Sequence, residues 1–107
     1  MTDRFRVTLA QLNPVMGDLE GNAAKARDAW AQGREAGAAL VALPEMFIAG
    51  YNPQDLLLKP AFQAAAIEAV RKLAADCADG PALAIGGPWV EGTQLFNAYF
   101  ILKGGKI

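Results

Sequence analysis

Histidine is absent from this sequence of 107 residues, and cysteine occurs once, at Cys77. Without histidine the chain cannot form a His-based catalytic triad or a metal site with histidine ligands. A single cysteine cannot form an internal disulfide, which is typical of proteins from a reducing cytoplasm. We therefore expect a cytoplasmic protein with no metal site among its own residues.

Clusters of positive charge and long apolar runs are also missing. The net charge is −1 and no basic block occurs, so nothing indicates nucleic acid or an anionic membrane as a partner. No apolar run reaches the roughly 18 to 20 residues that a membrane-spanning helix needs. The first residues, MTDRFRVTLAQLNP, lack the apolar region and cleavage site of a signal peptide. We expect neither nucleic acid nor membrane to be a partner.

The composition is that of a folded domain. Apolar residues make up 53% of the chain and charged residues 20%, which excludes disorder on compositional grounds. The length allows one domain at most. The sequence ends in LFNAYFILKGGKI, which predicts a strand, a Gly-Gly turn and the start of another element. We therefore interpret residues 1–107 as a portion of a longer domain.

The hydrophobic pattern predicts the element order β-α-β-α-β-β, an α/β (α+β) fold. Predicted strands cover residues 5–14, 38–45, 82–91 and 94–102, and predicted helices run from Asp18 to Gly37 and over 60–77. The inner faces of the helices should comprise Ala23, Ala26, Trp30 and Gly33 in the first, and Phe62, Ala66, Ala69, Leu73 and Cys77 in the second. With two helices on one face, the other face of so apolar a sheet should need a cover that this chain does not supply.

A carboxylate follows the second predicted strand. The apolar run AALVALP ends at Pro44, and Glu45 stands before Met46, Phe47 and Ile48. Strand ends open onto the crevices where α/β folds place their chemistry, and apolar neighbours would raise the pKa of the carboxyl toward that of a general base. A charged residue at the solvent boundary of a strand explains the pattern equally simply. The residues alone leave both interpretations open.

Several motifs together resemble one family. The segments RVTLAQLNPVMGDLEGN, LVALPEMFIAGYNPQDLL and LFNAYFIL resemble the start of the nitrilase, or carbon–nitrogen hydrolase, superfamily over essentially all 107 residues. The NPQDLLL continuation is similar to the glutaminase domain of the bacterial glutamine-dependent NAD synthetase branch. The resemblance implies that the chain is half of an α-β-β-α sandwich, the N-terminal portion of a glutaminase domain.

The resemblance also implies a mechanism. The family uses a Glu-Lys-Cys triad, in which cysteine attacks an amide or nitrile carbon, glutamate moves the proton and lysine stabilises the oxyanion. Glu45 matches the glutamate, the general base, whereas the lysine and cysteine are expected beyond Ile107. This chain alone should therefore be inactive. The complete enzyme should hydrolyse glutamine and pass ammonia to a synthetase domain of the same chain, which uses ATP and Mg²⁺ to amidate nicotinic acid adenine dinucleotide. A homo-oligomer is expected.

Other residues receive roles of different kinds. The resemblance implies that Tyr51 lines the glutamine pocket, although a packed loop aromatic fits the pattern as well. Asn97 is interpreted as a backbone-bonding residue that holds sheet register. Lys106 in the Gly-Gly turn and Cys77 on a helix face are interpreted as a solvated lysine and a small core residue rather than as members of the triad. The glycines of GGP at 86–88 should let a neighbour approach closely.

Two alternative functions stay open. The chain could belong to another branch of the superfamily, an amidase or nitrilase that acts on small amides. It could also be a non-catalytic module whose apolar sheet face is an association surface. Replacing Glu45 in the complete protein distinguishes the second alternative from the enzyme.

Overall fold

A computed structural model describes residues 4–51 and 53–107 of the chain. The elements follow the order β1 (Val7–Leu9), α1 (Leu19–Glu35), β2 (Leu40–Ala42), α2 (Pro60–Asp76), β3 (Ala82–Glu91) and β4 (Gln94–Leu102). A short 3₁₀ helix, Gln54–Leu58, lies between β2 and α2. The predicted order β-α-β-α-β-β is confirmed, and the chain has a mixed α/β fold.

The four strands form one sheet in the order β1-β2-β3-β4. The first three strands are parallel, as expected when a helix connects each pair, and β4 returns antiparallel to β3 through a tight turn at Gly92. Both helices contact each other and the same face of the sheet. The buried core therefore lies in one layer between the helices and that face.

Helix α1 follows its predicted boundaries and inner face. The Asp18 side chain accepts a hydrogen bond from the Gly21 backbone N–H, which satisfies one of the free donors of the first turn. The predicted stripe is buried, and an added Cβ at Gly33 would collide with the Val41 side chain. The small residues of α1 thus let it pack closely against β2.

Helix α2 begins at Pro60, as predicted, but its buried face is rotated slightly from the predicted inner face. Ala66, Leu73 and Cys77 are buried, whereas Phe62 and Ala69 are only half-buried and Val70 lies in the core. In a helix with 3.6 residues per turn, residues 66, 70, 73 and 77 lie closer to one line than the residues of the predicted inner face, which begins at Phe62.

The first two strands are shorter than predicted. Strand β1 covers three residues rather than 5–14, and β2 covers three rather than 38–45. The last ladder bonds here run from Ala10 N to Ala42 O and from Leu43 N to Ala84 O. Pro44 then has no N–H to continue the regular ladder, and the chain leaves the strand register while staying bonded to Gly86 of β3.

The sheet face opposite the helices is apolar and open. Cα register places Leu9, Ala42, Ala84 and Ile101 in one row across the four strands, and Leu9 and Ile101 are 73% and 51% exposed. Tyr99, on the same face of β4, is 52% exposed. Within the described residues this face carries no covering layer, in agreement with the sequence-based expectation.

Candidate functional site

Glu45 follows β2 after Leu43 and Pro44, and its backbone lies close against β3. The Gly86 N–H donates to Pro44 O at 3.3 Å, and Ile48 N donates to Gly86 O at 3.1 Å. A Cβ at Gly86 would stand 2.8 Å from the Cα of Glu45 and would collide with the Met46 nitrogen. Only glycine leaves room for this approach, which confirms the role predicted for the glycines at 86–88.

The chain reverses immediately after Glu45. Met46 has a φ of 53°, the left-handed conformation that non-glycine residues rarely adopt. Met46, Phe47 and Ile48 are all buried, whereas Glu45 is exposed. The expectation that these apolar neighbours surround and desolvate the carboxylate was wrong, because the reversal sends them into the core and leaves Glu45 outside it.

A buried asparagine ties the Glu45 loop to the loop that follows β1. Asn22 on α1 accepts from Val15 N at 2.8 Å and donates to Val15 O at 2.8 Å and to Ile48 O at 3.0 Å. Gly17 N also donates to Ala49 O at 2.9 Å. The sequence analysis missed Asn22. The available signal was a polar residue on the inner face of α1, four positions before Ala26.

The carboxylate of Glu45 meets an amide from β4. Asn97 Nδ2 donates to Glu45 Oε1 at 2.9 Å, so the interpretation of Asn97 as a backbone-bonding residue was wrong. Register explains the contact: Asn97 and Tyr99 stand opposite Pro88 and Gly86, on the face where the Glu45 loop crosses β3. Glu45 and Asn97 line a shallow, open concavity together with Leu43, Pro44, Ala98 and Tyr99.

Tyr99 forms part of the wall of this concavity. Its hydroxyl donates to Leu43 O at 2.7 Å, two residues before Glu45. Burial raises the pKa of the Tyr99 hydroxyl above its ordinary value. The hydroxyl therefore stays protonated at neutral pH and helps to hold the end of β2 in place.

Tyr51, the residue predicted to line a substrate pocket, lies outside this concavity and is 72% exposed. It follows Gly50, whose φ of 85° turns the chain at the end of the Glu45 loop. Its role in binding stays a prediction. Asn52, in the motif NPQDLLL, lies outside the described residues.

Lys106 and Cys77 occupy the positions predicted for non-catalytic residues. Lys106 is exposed in a turn closed by two backbone bonds with Lys103, at 2.9 and 3.1 Å. Cys77 is buried at the end of α2. Burial, with a smaller contribution from Asp76, raises the pKa of its thiol to about 11, although Arg27 acts in the opposite direction.

The buried thiol should resist alkylation. At pH 8 a thiol with a pKa of about 11 holds far less thiolate than one at the usual value of 9.0, and the thiolate is the reacting form. We expect iodoacetamide to modify Cys77 at least about 100-fold more slowly in the native protein than in guanidinium. Peptide mass spectrometry after timed quenching measures both rates. Equal rates would show that Cys77 is accessible and reactive.

Neither a cluster of metal-ligating side chains nor a membrane-spanning helix occurs among the described residues. Among residues 4–51 and 53–107, no group of three or more acidic, cysteine or histidine residues could hold a metal ion. This part of the chain therefore offers no carboxylate cluster of the kind that Mg²⁺ prefers. No helix in the described part is long and apolar enough to cross a membrane.

Comparison with known proteins matches the chain to one family. The sequence profile of the family described as Carbon-nitrogen hydrolase matches residues 6–107. The chain is 61% identical to the glutamine-dependent NAD(+) synthetase of Rhodobacter capsulatus, and the match covers 100% of this chain and 19% of that protein. The chain thus spans about a fifth of the length of this relative.

Solved structures give the same fold. A crystal structure of a glutamine-dependent NAD(+) synthetase from Cytophaga hutchinsonii superimposes with a TM-score of 0.89 at 28% identity, covering 95% of this chain and 17% of that one. An amidase from Nesterenkonia sp. superimposes with a TM-score of 0.74 at 27% identity, covering 95% of this chain and 40% of that one. The arrangement of two helices on a four-stranded sheet is common to this chain and both structures.

Proposed function

The chain belongs to the carbon–nitrogen hydrolase family, and from this premise we propose that it is the N-terminal portion of a glutaminase domain in which Glu45 is the general base. The observation that carries the proposal is the position of Glu45. Its backbone packs closely against Gly86, and its carboxylate lines a concavity at the carboxyl end of β2. Strand ends of this kind are where open α/β sheets bind ligands.

The proposed reaction requires two groups from the complete protein besides Glu45. Glu45 removes the proton from a cysteine thiol, and the thiolate attacks the side-chain amide carbon of glutamine. A lysine ammonium stabilises the oxyanion that forms. When the C–N bond breaks, Glu45 returns the proton to the departing ammonia and a thioester remains. Water then hydrolyses the thioester to glutamate and free thiol. By resemblance to the family, we place the lysine and the cysteine after residue 107.

The synthetase branch is favoured over the amidase branch by the comparisons. Sequence identity reaches 61% with a glutamine-dependent NAD(+) synthetase. The structural overlap is also closer with a synthetase of this kind, at a TM-score of 0.89, than with the amidase, at 0.74. We propose that the ammonia is used by a synthetase domain of the same chain to amidate nicotinic acid adenine dinucleotide to NAD. By resemblance to the family, ATP and Mg²⁺ would bind that domain.

Ammonia release tests the proposed function. The complete protein should release ammonia from glutamine with a kcat/KM at least about 100-fold higher than from propionamide or butyronitrile, because the pocket recognises the amino-acid end of glutamine as well as the amide. The 107-residue chain should release none, because a base without a nucleophile forms no thioester. Faster reaction with the simple amide would place the protein in the amidase branch. Ammonia release by the short chain would contradict the assignment of the nucleophile to a later segment.

A second candidate function is favoured by the open sheet face. Exposed apolar residues on one face are typical of surfaces that bind other proteins, so the chain could be a non-catalytic association module. In that case activity would not depend on Glu45.

We also propose that the complete protein is a cytoplasmic homo-oligomer, whose subunit number sedimentation equilibrium would measure.

A further inference from the structure

We propose that Asn97 is a positioning residue for Glu45, which selects the carboxylate oxygen that accepts the thiol proton. This inference rests on the proposed function, in which Glu45 is the general base. It concerns a side chain from a different strand, 52 positions along the chain from Glu45. The observation that carries it is the hydrogen bond of 2.9 Å from Asn97 Nδ2 to Glu45 Oε1.

The sheet brings these two side chains together through β3. Asn97 pairs with Pro88 and Tyr99 with Gly86, so both side chains stand on the open face of β4. The Glu45 loop crosses β3 at Gly86, beside them. Two other polar groups nearby are already bonded to backbone: Tyr99 OH donates to Leu43 O, and Asn22 donates to Ile48 O. Among the described side chains, Asn97 is the one that donates to the Glu45 carboxylate.

The hydrogen bond between Asn97 and Glu45 contributes little to the stability of the fold. Asn97 and Glu45 are both exposed, and a hydrogen bond between exposed side chains adds little to the free energy of unfolding because water can replace it. The effect of this hydrogen bond is to orient the Glu45 side chain. A carboxylate on a flexible glutamate side chain samples several rotamers, and an amide at 2.9 Å favours one of them. Asn97 therefore orients Glu45 without being needed for the fold.

The N–H donated by Asn97 also influences which oxygen of Glu45 accepts the thiol proton. An amide N–H can only donate, so Oε1 stays an acceptor while Asn97 is bonded to it. Because Oε1 already accepts one hydrogen bond, the proton that Glu45 takes from the thiol preferentially binds Oε2, and the same oxygen returns it to ammonia.

The test uses glutamine hydrolysis by the complete protein. Asn97→Ala should lower kcat about 10- to 100-fold and change KM less than about threefold, because orientation of the base is lost while substrate contacts remain. Asn97→Asp should lower kcat at least as much, because an ionised carboxylate has no N–H to donate to Glu45.

Control variants separate this role from others. Gln94→Ala removes another exposed amide from β4 and should leave kcat and KM unchanged. Apparent unfolding temperatures of the Asn97 variants should stay close to that of the parent protein. In a Glu45→Gln background, Asn97→Ala should have little further effect on kcat, because there is no base left to orient.

The possible failures are distinguishable. If Glu45→Gln abolishes hydrolysis but Asn97→Ala does not lower kcat, the positioning role is wrong and the proposed function stands. A rise in KM alone would make Asn97 a substrate-binding residue instead. If Glu45→Gln retains full activity, the proposed function fails and the positioning role fails with it.

Discussion

Glutamine hydrolysis by the complete protein should fall about a thousandfold when Glu45 is replaced by glutamine, a typical contribution for a general base. The substitution changes the charge and the proton-accepting ability of the side chain but hardly changes its size. Because Glu45 is exposed, no core contact is lost and the protein should fold normally. The carbonyl oxygen of the new amide can still accept the N–H of Asn97, so the local geometry should persist. The loss should therefore be one of proton transfer.

Steady-state ammonia release measures this effect, with thermal unfolding as the check on folding. Glu91→Gln is a matched control, since Glu91 is an exposed glutamate at the end of β3, away from the concavity. It should retain parental kcat and KM. Undiminished activity of the Glu45 variant would remove the general base from the mechanism and favour the association module.

Alanine at Gly86 should damage both the fold and the activity, whereas alanine at the adjacent Gly87 should be tolerated better. A Cβ at Gly86 meets backbone atoms, among them the Cα of Glu45 at 2.8 Å and its carbonyl carbon at 2.7 Å. A Cβ at Gly87 meets side-chain atoms of Ile48 and Phe100, at 2.7 and 3.2 Å. Side chains can shift their rotamers, but the backbone of the Glu45 loop is bonded on both sides of the contact. Overpacking of this kind costs about 1 to 3 kcal/mol, and we expect Gly86→Ala at or above the upper end.

Two measurements on the complete protein test this pair. The apparent unfolding temperature should fall by about 5 °C or more for Gly86→Ala and by less than half as much for Gly87→Ala. At a temperature where both variants are folded, Gly86→Ala should also lower kcat about 100-fold, because a displacement of about 1 Å in a catalytic group has effects of this size. Equal effects of the two substitutions on both quantities would show that the loop is not held rigidly over β3.

The order of the elements could be predicted from sequence because it depends on local patterns. The periodic apolar residues of the two helices, the Asp18 cap, Pro60 at a helix start and Gly37 after a helix end are each visible over a few residues. The uncovered sheet face also followed from counting helices against strands. The lengths of β1 and β2 could not be predicted, because they depend on where neighbouring strands stop pairing.

The environment of the site was harder to predict, for a physical reason. Three apolar residues after Glu45 suggested a desolvated carboxylate, but the left-handed backbone at Met46 reverses the chain, and nothing in the residue type signals this. The partner of Asn97 depended on the register between β3 and β4 and on the path of a loop far away in sequence. Glu45 was noticed by its place after a predicted strand, and the family resemblance implied its role as the base. Its role there stays a prediction until its variant is measured.

The bonds of the buried Asn22 have a consequence for the energetics of turnover. Through Ile48 O they fix the main chain that carries Glu45 to helix α1, while Gly86 fixes it to the sheet. In the proposed mechanism, the entropy lost in fixing this main chain is thus spent when the protein folds and does not recur with each substrate molecule. If Glu45 is the general base, as proposed, its main chain then needs little rearrangement when the thiol is ionised.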